Sequence, residues 1–227
     1  MDNKTALIVG VGGGLSASLA RLFAANRMGV ALAARNTEKL AALAKETGAA
    51  AHACDAAKPD DVARLFAALA APPDVVVFNP SARVPGSITD IDPEAAARAL
   101  SISAYGGFLV GQAAAKAMLP RGSGTIIFTG ASASVKGYPR SAIFAMGKFA
   151  LRGLAQSMAR ELAPQGIHVA HVVIDGGIRS AQRQEPADAP DSMLDPDAIA
   201  ASYLHLVNQH RSAWTWEIEV RPWVERF

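Results

Sequence analysis

The sequence predicts an α/β fold, a single doubly wound domain whose parallel seven-stranded sheet is flanked by helices. Three observations predict it. Short apolar runs alternate with longer stretches of helical periodicity. The first apolar run opens into a cluster of glycines. The chain has 227 residues, 51% hydrophobic and 19% charged, which fits one such domain, residues 1–227, better than two and rules out global disorder.

Leu7 to Val9, closed by Gly10, suits a strand buried on both faces. Leu15, Leu19, Leu22 and Phe23 follow at helical spacing, and Gly29 ends that helix. Val30 to Ala34 reads as the second strand. Asn36 or Thr37 then caps a helix with Leu40, Leu43 and Ala44 on one face and Gly48 past its end. Ala49 to Cys54 is a weaker strand. Asp60 is expected to cap a helix carrying Val62, Leu65, Phe66 and Leu69 on one side. Val75 to Phe78 is the fourth strand, and one long helix is expected from about Pro93 to Leu119. Thr125 to Phe128, Ala142 to Leu162 and Val169 to Ile174 read as strand, helix and strand. A late helix covers roughly Asp197 to Gln209, and Glu217 to Val220 completes the seven strands. Strands separated by helices imply right-handed crossovers and a parallel sheet.

Composition excludes several function classes. A net charge of +2 argues against nucleic acid or a membrane surface as the main partner. A single cysteine, Cys54, allows neither an intrachain disulfide framework nor a multi-cysteine zinc site. The five histidines show no metal-binding arrangement, so no metal is expected. No apolar run approaches the ~20 residues of a membrane span, and the opening stretch enters a strand too early for a signal peptide. A cytoplasmic protein is expected. The tail from Trp214 to Phe227, with Trp214, Trp216 and Trp223, is either packed core or a subunit contact.

Gly10, Gly12, Gly13 and Gly14 lie between the first strand and the helix that Leu15 begins. Such a turn lets a pyrophosphate approach bare backbone and rest on a helix N-terminus. A bare turn needs one or two glycines, not four in five positions, so nucleotide binding is the favoured reading. Counted as G-x-x-x-G-x-G, the loop is Gly10, Gly14 and Ser16, with only the last position off. The second strand ends in Ala33, Ala34, Arg35 and Asn36, with no carboxylate to grip an NAD ribose. Arg35 and the backbone amide of Asn36 suit a 2′-phosphate instead, so NADP is expected, with NADPH preferred over NADH. A methyltransferase would share the glycine loop but would be expected to carry an acidic residue here.

Further along, Asp55 follows the third strand and Phe78-Asn79-Pro80-Ser81 the fourth. Lys148 lies on a helix, Ala159-Arg160-Glu161-Leu162 and Gly166-Ile167-His168-Val169 lead into the sixth strand, and Asp175-Gly176-Gly177-Ile178-Arg179-Ser180 leave it. In this order, and with the glycine loop, these motifs resemble the short-chain dehydrogenase/reductase family over nearly the whole chain. The resemblance implies a Rossmann-type fold and a cofactor site of Gly10, Gly12, Gly13, Gly14, Leu15, Arg35, Asn36, Asp55, Asn79, Lys148, Ile178 and Ser180. By it, Asp55 meets the adenine, the Ile178 backbone meets the carboxamide, Ser180 meets the cofactor phosphate or carboxamide, and Lys148 holds the nicotinamide ribose.

The catalytic positions agree less well. The family's Tyr-x-x-x-Lys tyrosine falls on Phe144, its serine on Ala131 with Ser132 one residue off register, and its asparagine on Ser103. Phenylalanine has no proton to give, and loss of a positioned acid commonly costs ~10²–10⁴-fold in rate. Lys148, Ser103, Ser132 and Tyr138 are the catalytic candidates, with Ser81 a further hydroxyl at the rim. Two functions stay open: an NADP(H)-dependent oxidoreductase acting on an unknown small molecule, and an NADP(H)-binding protein that has lost ordinary catalysis. If Arg83, Lys136, Arg140 and Arg179 converge at the rim, the small-molecule substrate is anionic. The resemblance implies a homodimer or homotetramer, paired through the long helix and the Phe144–Lys148 helix, and Ala113, Ala114, Ala117, Ala155 and Ala159, expected on their outer faces, permit close packing.

Overall fold

The computed structural model describes residues 4–225. Seven parallel strands form one sheet: β1 (Thr5–Val9), β2 (Gly29–Ala34), β3 (Ala50–Ala53), β4 (Val75–Phe78), β5 (Gly124–Thr129), β6 (Ile167–Ile174) and β7 (Glu217–Val220). Their order across the sheet is β3-β2-β1-β4-β5-β6-β7. The order reverses between β1 and β4, so the crevice outside their carboxyl ends is the expected ligand position for an open parallel sheet.

Alternation along the strands divides the core in two. Ala6 and Ile8 of β1, Val75 and Val77 of β4, and Ile127 of β5 face one side. There they pack under α1 (Leu15–Ala25), α2 (Ala41–Thr47) and, across the sheet, Tyr203 and Leu206. Leu7, Val9, Val76, Phe78, Ile126 and Phe128 face the other side. That side is covered by α3 (Pro59–Ala67), α5 (Gly106–Met118) and α6 (Ala142–Leu162). The remaining helices are α4 (Pro93–Leu100) and α7 (Pro196–Asn208). Burial on both faces explains the unbroken apolar strands.

Three expectations are corrected. α3 begins at Pro59, with Lys58 before it, so Asp60 lies inside the first turn rather than capping it. The long helix is not uniform: a π-helical stretch, Ser101–Tyr105, joins α4 to α5. The amide of Ala82 donates to the Ser103 hydroxyl there at 3.1 Å, tying the loop after β4 to the bulge. Gly107 lets α5 lie against α6, because a Cβ on it would sit 2.3 Å from a Leu151 methyl. Finally, Ala114 and Ala155 are core residues, not outer-face ones, whereas Tyr105, Phe108, Met146 and Phe149 are the large exposed groups of these two helices and their junction.

The tail packs on β6 and β7. Trp214 stacks on His168, Arg152 lies over Trp216, and Trp223 is exposed while its indole N–H donates to the Pro190 carbonyl. Phe227 lies outside the described residues. No helix among the described residues is long and apolar enough to cross a membrane.

Candidate active site

Two clefts meet at the carboxyl ends of β1 and β4. One, of about 450 Å³, is lined on one side by Gly10, Gly12, Gly14, Leu15 and Ser16. Its other walls are Asn79 and Ser81, Thr129 to Ala131, Phe144 and Lys148, and Ile178, Ser180 and Arg183 from beyond β6. The other, of about 400 Å³, holds Arg35, Asp55 and Ala56 at its far end and shares Gly10, Asn79 and Ser81 with the first. Together they make one groove across the sheet's switch point.

The glycine loop divides by cause. Gly10 has φ +83°, and a Cβ on it would meet the Pro80 nitrogen at 2.6 Å, so the fold itself requires it. Gly12, Gly13 and Gly14 lack a positive φ, and a Cβ on any of them would meet no protein atom within 4 Å. Packing within the chain therefore calls for glycine at none of the three, whereas the backbone of Gly14, at φ −101° and ψ −128°, lies outside the regions that residues with side chains ordinarily occupy. Ser16, the position off the glycine pattern, is used: Asn79 Nδ2 donates to its hydroxyl at 2.7 Å, and that hydroxyl donates to the Gly10 carbonyl at 3.2 Å. This chain fixes the glycine loop to the end of β4.

At the far end, Arg35 is exposed and has no ion-pair partner among the described residues. Asn36 does not line the groove; its side-chain oxygen accepts from the Glu38 amide at 2.9 Å and caps the turn before α2. Asp55 accepts from the Ala57 amide and presents its edge to the groove. Cys54 is buried beside it, and burial pushes its thiol up to about 11.

At the near end, Lys148 is wholly buried and donates to the Thr129 carbonyl at 2.7 Å. Loss of hydration, and then the charge of Arg83, lower its pKa to about 7. Phe144, one turn earlier on α6, lines the same cleft. The guanidinium carbon of Arg83 stands 4.0 Å from the Phe144 ring centroid, a cation–π stack. Ala131 lines the cleft, but its own amide donates to Ser134 Oγ at 3.1 Å, turning the chain inward. Behind that turn runs a buried chain: Ser134 Oγ to His171 Nε2 at 3.3 Å, then His171 Nδ1 to Glu217 at 2.9 Å. Arg152 closes it with two 2.7 Å bonds to Glu217. Burial holds His171 at about 4, against the pull of Glu217, so the ring is neutral and braces the turn.

The structure brings together Gly10, Gly12, Gly14, Leu15, Arg35, Asp55, Asn79, Lys148, Ile178 and Ser180. Gly13 borders an adjoining groove with Ser180. It does not bring Ser103, Ser132 or Tyr138 to the groove. Ser103 is used by Ala82, Ser132 starts the inward turn, and Tyr138 is 43% exposed on the following loop. Of the four basic residues expected at the rim only Arg83 arrives. Lys136 pairs with Asp175 and Arg179 with Glu185 and Asp195, while Arg140 lies exposed with φ +61°. Arg183 joins the cleft instead; it sits in the irregular stretch after β6, where sequence spacing carries no direction. Among the described residues no cluster of three or more His, Cys, Asp or Glu could hold a metal.

A family model described as short chain dehydrogenase matches residues 4–190. A solved short-chain dehydrogenase from Rhodopseudomonas palustris is 39% identical, covering 98% of this chain and 100% of that one, at a TM-score of 0.84. A metagenomic short-chain oxidoreductase solved in complex with NADP is 27% identical, covering 96% of this chain and 97% of that one, at a TM-score of 0.83. Oxidoreductase UcpA of Salmonella typhimurium is 30% identical over 214 residues, covering 88% of this chain and 81% of that protein. The matched residues run from the foot of β1 past the end of β6, and the likeness to solved relatives extends through the rest: this chain belongs to the short-chain dehydrogenase family.

Proposed function

We propose that the protein is an NADP(H)-dependent oxidoreductase acting on a small molecule, with chemistry that departs from the family's tyrosine–lysine pair. The observation that carries the cofactor assignment is the open space over Gly12, Gly13 and Gly14, joined through Asn79 to an unpaired Arg35. The relative solved with NADP supports the same reading. The residues present fit the group. The glycine amides and the start of α1 would hold the pyrophosphate, Asp55 the adenine, and Arg35 the 2′-phosphate. Lys148, with two amine hydrogens beyond the bond to Thr129, would hold the nicotinamide ribose. Once bound, the nicotinamide supplies or accepts a hydride. A cytoplasmic protein acting as a homodimer or homotetramer belongs to the same reading.

Phe144 stands where the family's tyrosine does and cannot donate a proton. Ala131, in place of the serine, cannot hold a carbonyl oxygen. Ser81 is one of the hydroxyls that line the groove, with Ser16, Thr129 and Ser180, and Lys148, titrating near neutrality, can hold or release a proton inside it. Phe144 and Ala131 also favour a second reading, a binding protein without ordinary turnover. Calorimetric titration with NADPH and NADH, followed by NADPH oxidation over a panel of ketones and aldehydes, separates the two. Tight NADPH binding with no oxidation supports the second reading, and failure to bind either nucleotide removes both.

A further inference from the structure

We propose that Arg83 is the receptor for a carboxylate on the substrate, so that the protein acts on carbonyl or hydroxyl compounds bearing a carboxylic acid. The inference rests on the oxidoreductase reading for the reaction, but the anion site itself stands on separate observations. First, the cleft that holds Phe144 and Lys148 is lined by three basic side chains, Arg83, Lys148 and Arg183, and by no Asp or Glu among the described residues. Second, Arg83 has no ion pair among the described residues, a property it shares with Arg140 and Arg183, whereas Lys136 and Arg179 are paired; of the three, only Arg83 also lies against Phe144. Third, its guanidinium is not free to wander: it stacks at 4.0 Å from the centroid of Phe144, at the position where the reacting group would otherwise meet a phenol.

The loop beneath is also fixed. The Ala82 amide is held by the buried Ser103 hydroxyl, at the π-helical stretch, so the residue before Arg83 is anchored from behind. Contact with a ring face uses none of the five guanidinium N–H donors in a conventional hydrogen bond, so two of them stay available to receive a carboxylate through parallel bonds. Replacement of tyrosine by phenylalanine gains a meaning here. The ring is kept as a platform, and the donor that touches the substrate becomes the arginine above it. Lys148 is already engaged with Thr129, and Arg183 comes from the segment that also carries Ser180, on the glycine-loop side.

The test uses acetoacetate and levulinate, each paired with its methyl ester, titrated calorimetrically into the full chain saturated with NADP⁺, which permits binding without reduction. The acids are expected to bind at least about tenfold tighter than the esters, a difference of about 1.4 kcal/mol. In Arg83→Gln the acid-to-ester ratio is expected to fall to near one, Arg83→Lys to retain part of it, and Arg183→Gln to retain most of it. Equal affinity for acid and ester, no binding of either acid, a preference that survives Arg83→Gln, or one abolished only by Arg183→Gln overturns the proposal. The same compounds assayed with NADPH keep the two readings apart. Arg83-dependent binding without oxidation removes the oxidoreductase reading and leaves the anion site. Equal oxidation of NADPH by the acids and the esters does the reverse.

Discussion

Replacing Lys148 by methionine is expected to make the protein more stable and its cofactor site weaker. The amine is fully buried, and desolvation, with a smaller push from Arg83, takes its pKa from 10.5 to about 7. At about 1.4 kcal/mol per tenfold, the charged lysine costs the folded state at most about 5 kcal/mol. Methionine fills much of the same volume but leaves the Thr129 carbonyl without the 2.7 Å bond from the amine. That loss is about 1–3 kcal/mol, so the net gain below pH 7 is about 2–4 kcal/mol. Its pH dependence is more diagnostic than its size. Below pH 7 the folded and unfolded wild-type chains both carry the charge, and the whole penalty is present. Between about 7 and 10.5 the unfolded chain keeps the proton and the folded chain loses it, so wild-type stability rises with pH. The variant lacks this rise, and its advantage shrinks toward pH 10. Urea unfolding of both proteins from pH 6 to pH 10, at one protomer concentration, measures the difference, and titrations common to both cancel. Parallel pH profiles, or a variant less stable than wild type at pH 6, would refute the reasoning.

Arg35→Ala is expected to weaken NADPH binding by about 10–100-fold, the worth of a charge-assisted bond, and to leave NADH affinity within about twofold; calorimetry with both nucleotides checks it. Phe144→Tyr combined with Ala131→Ser is expected to raise ketone reduction by NADPH, because Lys148 already lies one turn from the new phenol, and steady-state assay of the ester substrates reads the change. Light scattering at micromolar concentration is expected to give a dimer or tetramer, and Phe149→Asp, which charges an exposed aromatic of α6, to shift it toward monomer; a wild-type monomer removes the claim.

Most of the fold was legible in the sequence because its strands are buried on both faces. Val75 to Phe78 is four apolar residues in a row, all of them buried. The cofactor half of the groove was legible for a related reason: backbone positions such as Gly12 to Gly14 announce close approach directly in residue type. The reacting end was harder. Ser132 is one residue off register and Tyr138 lies on a loop, and the direction of a loop side chain depends on contacts such as Ala131 to Ser134 and on the histidine behind them. The π-helical stretch at Ser103 was hidden because a loop from another part of the chain selects it. Ala114 and Ala155 were placed on the outside because their helices carry apolar residues on more than one face, and periodicity alone does not say which of those faces the sheet covers.

The buried chain from Arg152 through Glu217 and His171 to Ser134 has a consequence for how the molecule is assembled. Glu217 belongs to β7, the last of the seven strands in chain order, while the turn it braces leaves β5. During synthesis the glycine loop and the adenine end can be shaped as soon as β1 to β4 have paired. The wall at Ala131 has to wait for a strand made after everything else in the sheet. Until then His171 lacks the acidic partner that Glu217 supplies. Docking of β7 completes the sheet and sets the far wall of the groove, so the glycine loop can take shape before the wall that faces it.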